Sequence, residues 1–245
     1  MGLGQKAFEH VCTAVRAMPA PGEVLTLGVQ DIHFDERWFR KEMKRQDLPL
    51  PDDWMAEINE KPHFKKRNYL TQQCVFSAIG LNQIRSLDAS DFEGCDFIHD
   101  LNNPEPPLEL RERFSLIVDG GTLEHIFHVP NALKAIHRML KVGGIIIHQS
   151  PTSNYVDHGF FSFSPTFFED YYRTAGYSVG EHWLISHLKN GDKQKARIVP
   201  HEPGSTSKVG KLDKRMYATF FWATKQADSN EERIPTQGYY QRAWK

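Results

Sequence analysis

The sequence is poor in cysteine: Cys12, Cys74 and Cys95 are three in 245 residues, far apart and odd in number. No CxxC pair occurs. That excludes a disulfide framework or a thiolate zinc site, and reduced thiols in a cytoplasmic protein are expected. No apolar run is long enough to span a bilayer, so no membrane partner is expected. Neither charge dominates. Thirty Lys and Arg stand against 31 Asp and Glu, for a net charge of −1, which leaves no electrostatic footprint for nucleic acid. No basic stretch followed by an apolar run opens the chain, so no secretory signal is expected. Lys6 stands where a myristoylation signal needs Ser or Thr, so Gly2 reads as incidental. No internal repeat is visible. Also missing is a glycine-rich phosphate loop. After Gly28 come Val29, Gln30, Asp31 and Ile32, where GxGxxG would place two more glycines. This counts strongly against a nicotinamide or ATP site.

What is present is ordinary for one large globular domain, with 40% hydrophobic and 25% charged residues. Phe8, Val11, Cys12, Val15 and Met18 fall on one helical face, stopped by Pro19 and Pro21. A short strand, Glu23 to Gly28, follows. "NYLTQQCVFSAIG" reads as a helix capped by Gly80. "NQIRSLDAS" and "CDFIHDLN" read as strands ending at Asp88 and near Asp100, and "FSLIVDGG" as a strand buried on both faces. "PNALKAIHRMLKVGG" predicts a helix stopped at Gly143-Gly144, and "GIIIHQSP" a buried strand to Ser150. "SPTFFEDYYRTAGY" predicts a helix with Ser164 as cap and Pro165 as its first residue. "YSVGEHWLISHL" and "RMYATFFWATK" are the last two strands. Strands alternating with helices predict an α/β fold, an open and mostly parallel doubly wound sheet.

In such sheets ligands sit beyond the carboxyl ends of the strands, at the switch point. The residues predicted there are Gly28, Asp88, Asp100, Asp119 with Gly120-Gly121, and Ser150. Asp88 can accept both hydroxyls of a ribose, or cap the turn "DASD". Asp100 can accept from an adenine amino group, or close an Asx-turn in "HDLNNP". The two glycines after Asp119 allow a ligand close to the backbone.

The segment "FSLIVDGGTLEHIFHVPNALKAIHRMLKVGGIIIHQSP" resembles the second half of class I S-adenosylmethionine-dependent methyltransferases. There the fourth strand ends in Asp, an "LEH" segment follows, and a helix ends in "LKxGG". The resemblance covers residues 81 to 180 well and 22 to 30 in part. "SNYVDHGFFSFSPTFFEDYYRTAGY" is similar to a bacterial subgroup acting on small molecules, with an "HGFYxFSP" segment. The resemblance implies a Rossmann-like sheet of the seven-stranded methyltransferase type with an antiparallel last strand. It implies S-adenosylmethionine as cofactor: Gly28 under its methionine part, Asp88 on the ribose, Asp100 facing the adenine, Asp119 and Gly120 beside the transferring methyl. The family's Asp-x-Gly-x-Gly-x-Gly is here Thr26, Gly28, Gln30 and Ile32. S-adenosylmethionine has no pyrophosphate, so a phosphate nest is not required. The Gln30 side chain is expected to bind the cofactor's carboxylate or amino group instead.

Residues 1–225 are expected to form one domain with an insertion at about 31–75, a lid or substrate wall, followed by a tail at 226–245 that is disordered or docks on a partner subunit. A hydroxyl acceptor needs a general base. His158 is the first candidate and His125 the second, with Asp157 or Tyr155 orienting substrate and Phe160 in an aromatic wall. No metal is expected: "EHIFH" is not HExxH, and spacing fixes no third ligand. The basic stretch 189–215 is a solvated loop or an anion-recognising one. The expected partner is a small molecule, and a homodimer is left open. The expected function is methyl transfer to an oxygen or nitrogen acceptor in a bacterial biosynthetic pathway. The rivals are a non-catalytic partner or regulator on the same fold, and a different enzyme on it.

Overall fold

The computed structural model describes residues 2–20, 22–187 and 196–244. Pro21, Leu188 at the end of the expected strand "YSVGEHWLISHL" and residues 189–195 of the basic stretch lie outside them. In chain order the strands are β1 (Gly2–Leu3), β2 (Val24–Leu27), β3 (Asp31–Ile32), β4 (Ile84–Asp88), β5 (Phe97–Ile98), β6 (Phe114–Asp119), β7 (Leu140–Ser153), β8 (Ser178–His187), β9 (Ile198–Pro200) and β10 (Met216–Thr224). The helices are α1 (Gln5–Arg16), α2 (Glu36–Arg45), α3 (Pro62–Lys65), α4 (Gln72–Ser77), α5 (Val129–Met139), α6 (Pro165–Thr174) and α7 (Gly238–Ala243).

Eight strands form the main sheet in the order β5-β4-β2-β6-β7-β10-β8-β9. β2 pairs parallel with β4 on one side and β6 on the other, so the strand order reverses beside β2. β10 lies antiparallel between β7 and β8. This is the doubly wound methyltransferase-type sheet, with the short edge strand β9 added to the seven expected.

Alternation along the strands divides the core in two. Val24, Leu116, Val118, Ile145, Ile147 and Phe220 face one way and pack with α1, α2 and α4. Leu25, Leu27, Ile117, Ile146 and Phe221 face the other way and pack with α5 and α6. Successive strand residues point to opposite faces, so a central strand covered on both sides is apolar throughout.

Several elements differ from the sequence reading. α5 ends at Met139, and Leu140 already begins β7, so Gly143-Gly144 bend the strand and do not stop the helix. The helix can end early because its carbonyls find other donors. Lys225 Nζ donates to His137 O and Leu140 O at 2.8 Å each, and Glu112 N donates to Arg138 O at 2.8 Å. Ser164 holds the cap position of α6 but makes no side-chain cap bond. Gly2 is not incidental: a Cβ there would lie 1.8 Å from Asp31 O, so its bareness permits β1 to pair with β3.

Residues 31–75 contribute Ile32, Phe34, Phe39, Met43, Leu70 and Val75 to the core beside α1. The tail folds back on its own chain. Asn230 N donates to Ala175 O at 2.8 Å, Ser229 Oγ to Gly176 O at 3.0 Å, and Gly238 N to Asp170 Oδ2 at 2.9 Å. All three cysteines are free thiols. No helix among the described residues is long and apolar enough to cross a membrane.

Candidate functional site

β2 and β6 end side by side at the switch point, with Leu27 opposite Asp119, where open sheets of this kind hold their ligands. Gly28 turns the chain at φ +73°, a conformation that strains any residue with a Cβ. Its amide donates to Leu87 O at 2.7 Å, tying the turn to β4. A Cβ on Gly28 would lie 3.7 Å from Asp88 Oδ2, so that oxygen faces the turn. Asp88 Oδ1 accepts from Ala89 N at 2.7 Å.

Gln30 is 4% exposed and lies over the switch point. Its Nε2 donates to Leu27 O at 2.6 Å, and its backbone N donates to Gln72 Oε1 at 3.0 Å. The first bond fixes which way the amide points. Oε1 is left buried with no hydrogen-bond partner among the described residues. It packs on Gly120, where an added Cβ would come within 1.9 Å of it. The side chain thus occupies the space a second loop glycine would have left open.

Asp119 sits beneath the switch point. It is fully buried, and its Oδ1 accepts from the amides of Gly121, Thr122 and Leu123 at 3.2, 2.8 and 3.3 Å. Its Oδ2 meets His148 Nδ1 at 2.8 Å, and His148 Nε2 meets Tyr172 OH at 2.7 Å. The carboxylate shapes the loop after β6 from below, and Gly120 is left as the part of this pair on the side of Gln30. Asp100 lies two residues beyond β5, exposed. Asn102 N and Nδ2 donate to its Oδ1 at 2.9 and 2.8 Å, closing an Asx-turn and holding the carboxyl below its usual range. Ser150 lies inside β7, buried.

A second group converges beside the switch point. A single 3-10 turn, Leu123–His125, follows β6, and the loop 154–160 follows β7. Glu124 is 0% exposed, and neither carboxylate oxygen has a hydrogen-bond partner among the described residues. Burial, with Asp119 nearby, pushes its carboxyl up to about 8. Glu124 Oε1 lies 4.0 Å from His125 Nε2 and 3.8 Å from His158 Nε2. The two imidazole rings are 5.3 Å apart, and Tyr155 packs edge-on to His158 at 5.6 Å. Burial lowers the pKa of both imidazoles, His158 adding to the effect on His125, so both are neutral near pH 7. Burial and then Glu124 push the Tyr155 phenol up to about 12. Asp157 is exposed at φ +61°. Phe160 is 67% exposed and meets Phe127 at 5.7 Å, forming an aromatic rim.

The structure therefore brings Gly28, Gln30, Asp88 and Gly120 together, and separately His125, His158 and Tyr155. Phe127 and the burial of Glu124 were missed in the sequence; the acidic residue before His125 in "LEH" was the available signal. A groove of about 560 Å³ lined by Trp54, Met55, Gln73 and Ile84 lies at the start of β4, the opposite end of that strand from Asp88.

No protein-family model and no curated protein sequence matches the chain. Among solved structures, the chain is similar to 1,6-didemethyltoxoflavin-N1-methyltransferase of Burkholderia thailandensis, bound to 1,6-didemethyltoxoflavin and S-adenosylhomocysteine. Identity is 11%, coverage 91% of this chain and 77% of that one, and the TM-score 0.43. It is also similar to a SAM-dependent methyltransferase from Archaeoglobus fulgidus, at 10% identity, 89% and 94% coverage and a TM-score of 0.44. With TM-scores below 0.5, neither likeness assigns a residue here.

Proposed function

We propose that this chain transfers a methyl group from S-adenosylmethionine to an oxygen or nitrogen of a small molecule. The observation that carries the reading is the pairing of Gly28, in its left-handed turn, with the outer oxygen of Asp88 at the switch point of a methyltransferase-type sheet. A ribose over the turn can donate its hydroxyls to Asp88. The unpartnered Gln30 Oε1 is an acceptor suited to the cofactor's ammonium group. Asp100, in its turn, contributes at the adenine edge, and Gly28 lies under the methionine, with Gly120 bordering it beneath Gln30.

Methyl transfer is an in-line displacement on an activated sulfonium, so the protein mainly positions the acceptor and excludes water. The acceptor lies against Tyr155, Phe160 and Phe127. Its proton leaves through neutral His158, with His125 as the alternative and Asp157 at the loop tip. A non-catalytic role on the same fold is favoured by one feature: Gln30 fills the space over Gly120.

Asp88→Ala tests the cofactor assignment. It removes one local bond to Ala89 and leaves the core untouched. S-adenosylhomocysteine affinity is expected to fall by about 1–3 kcal/mol, measured by calorimetric titration, through lost charge-assisted hydrogen bonds. Unchanged affinity removes the ribose assignment.

A further inference from the structure

We infer that Glu124, His125 and His158 form a three-ligand site for a divalent transition-metal ion, with open coordination positions toward the methyl acceptor. The ion site stands on its own; the methyl-transfer chemistry at it rests on the function proposed above, with His158 serving as a ligand in place of a base.

The first ground is Glu124. A carboxylate with 0% exposure and two unpartnered oxygens is a costly arrangement unless something charged or donating meets it. A cation supplies that partner. The second ground is convergence: the three ligand atoms lie within 4.8 Å of one another. Tetrahedral bonds of 2.0–2.2 Å place ligand atoms about 3.4 Å apart, so the cluster needs only a small contraction. The imidazoles can supply it, because the His125 side chain at the end of its 3-10 turn and the His158 side chain on its loop are 47% and 35% exposed. The two loops are already pinned. Phe161 N donates to Glu124 O at 3.2 Å, and Gly159 packs so closely that a Cβ would lie 2.8 Å from that oxygen.

The ligand set indicates which ion. Two imidazoles and one carboxylate suit Zn²⁺, Mn²⁺ or Fe²⁺, whereas Mg²⁺ and Ca²⁺ prefer all-oxygen shells. Three protein ligands leave the vacant position of a reactive site. An ion there lowers the pKa of an acceptor hydroxyl beside it, and that proton passes to water. The oxygen then attacks the methyl carbon; the carbon–sulfur bond breaks with its electron pair staying on sulfur. A second cluster, Glu169, His182 and His201, is a weaker candidate. Both His182 nitrogens are engaged there, by Glu169 and by Thr219 at 2.9 Å each.

The test is calorimetric titration of Zn²⁺, Mn²⁺ and Mg²⁺ into the chelator-treated full chain, with S-adenosylhomocysteine titrated into the same sample. One equivalent of Zn²⁺ should bind, with Mg²⁺ far weaker. Glu124→Gln, His125→Ala and His158→Ala should each weaken Zn²⁺ at least about tenfold, while His201→Ala and His63→Ala leave it unchanged. Should Glu124→Gln fail to fold, the two histidine variants, at exposed positions, carry the test. The inference is overturned by no saturable Zn²⁺ binding to folded protein, or by binding that survives loss of both histidines and vanishes in His201→Ala. Zn²⁺ absent with S-adenosylhomocysteine bound removes the ion alone; the reverse supports the ion and removes the cofactor.

Discussion

Asp119 and His148 show how a single position acquires its role. Along β6, Ile117 packs toward α5 and α6, so Asp119, two residues on, points the same way. His148 follows by the same parity from Ile146 in β7, and Tyr172 of α6 closes the chain of hydrogen bonds. Removing Asp119 leaves His148 Nδ1 and the amides of Gly121, Thr122 and Leu123 without their carboxylate partner. Asp119→Ala is expected to cost about 3–5 kcal/mol in a denaturant titration; a loss below about 1 kcal/mol contradicts the network. His201 provides a pH handle. Burial, with His182 beside it, holds its imidazole down to about 4. The unfolded chain therefore binds a proton near pH 6.5 that the folded chain refuses until about pH 4, and stability falls as pH drops through that window. His201→Asn should flatten the fall in thermal midpoint between pH 6.5 and pH 4; an unchanged slope contradicts the assignment. That aspartates end the strands was legible in the sequence. Which of them are buried in a network and which stay open was not, because that depends on strand parity and on what the following helix brings beneath.

Among the elements, α5 is the instructive one. Its amphipathic pattern runs on through "LKVGG", yet the helix stops at Met139. Lys225, at the far end of β10 and 5% exposed, donates to two carbonyls at the helix end. A donor 85 residues from Leu140 cannot be inferred from local pattern. Lys225→Met keeps the aliphatic stem and removes both bonds. It should destabilise the chain by about 2–3 kcal/mol, the scale of hydrogen bonds to a charged group; protection of the α5 amides from hydrogen exchange reports whether the helix end frays. The turn "LEH" is a similar case. Its histidine was legible as a candidate, whereas Glu124 acquires its meaning only from His158, delivered by the loop after β7.

At the scale of the whole molecule, alternating strands and helices were enough to predict a doubly wound sheet. The sequence could not show that residues 31–75 join the core beside α1, or that residues 226–244 pack on α5 and α6 of the same chain. Glu231 and Glu232 of that tail meet Arg138 and Lys134 of α5, pairs separated by more than 90 residues. We propose that the switch point, with Gln30 in place of a glycine, holds S-adenosylmethionine. Calorimetric titration of the purified chain with S-adenosylmethionine and S-adenosylhomocysteine, with NADH and ATP as controls, tests it most directly. One site for each of the first two is expected at about micromolar affinity, with a raised thermal midpoint for either and no binding of the controls. A folded sample that binds neither, or that binds a control instead, contradicts it.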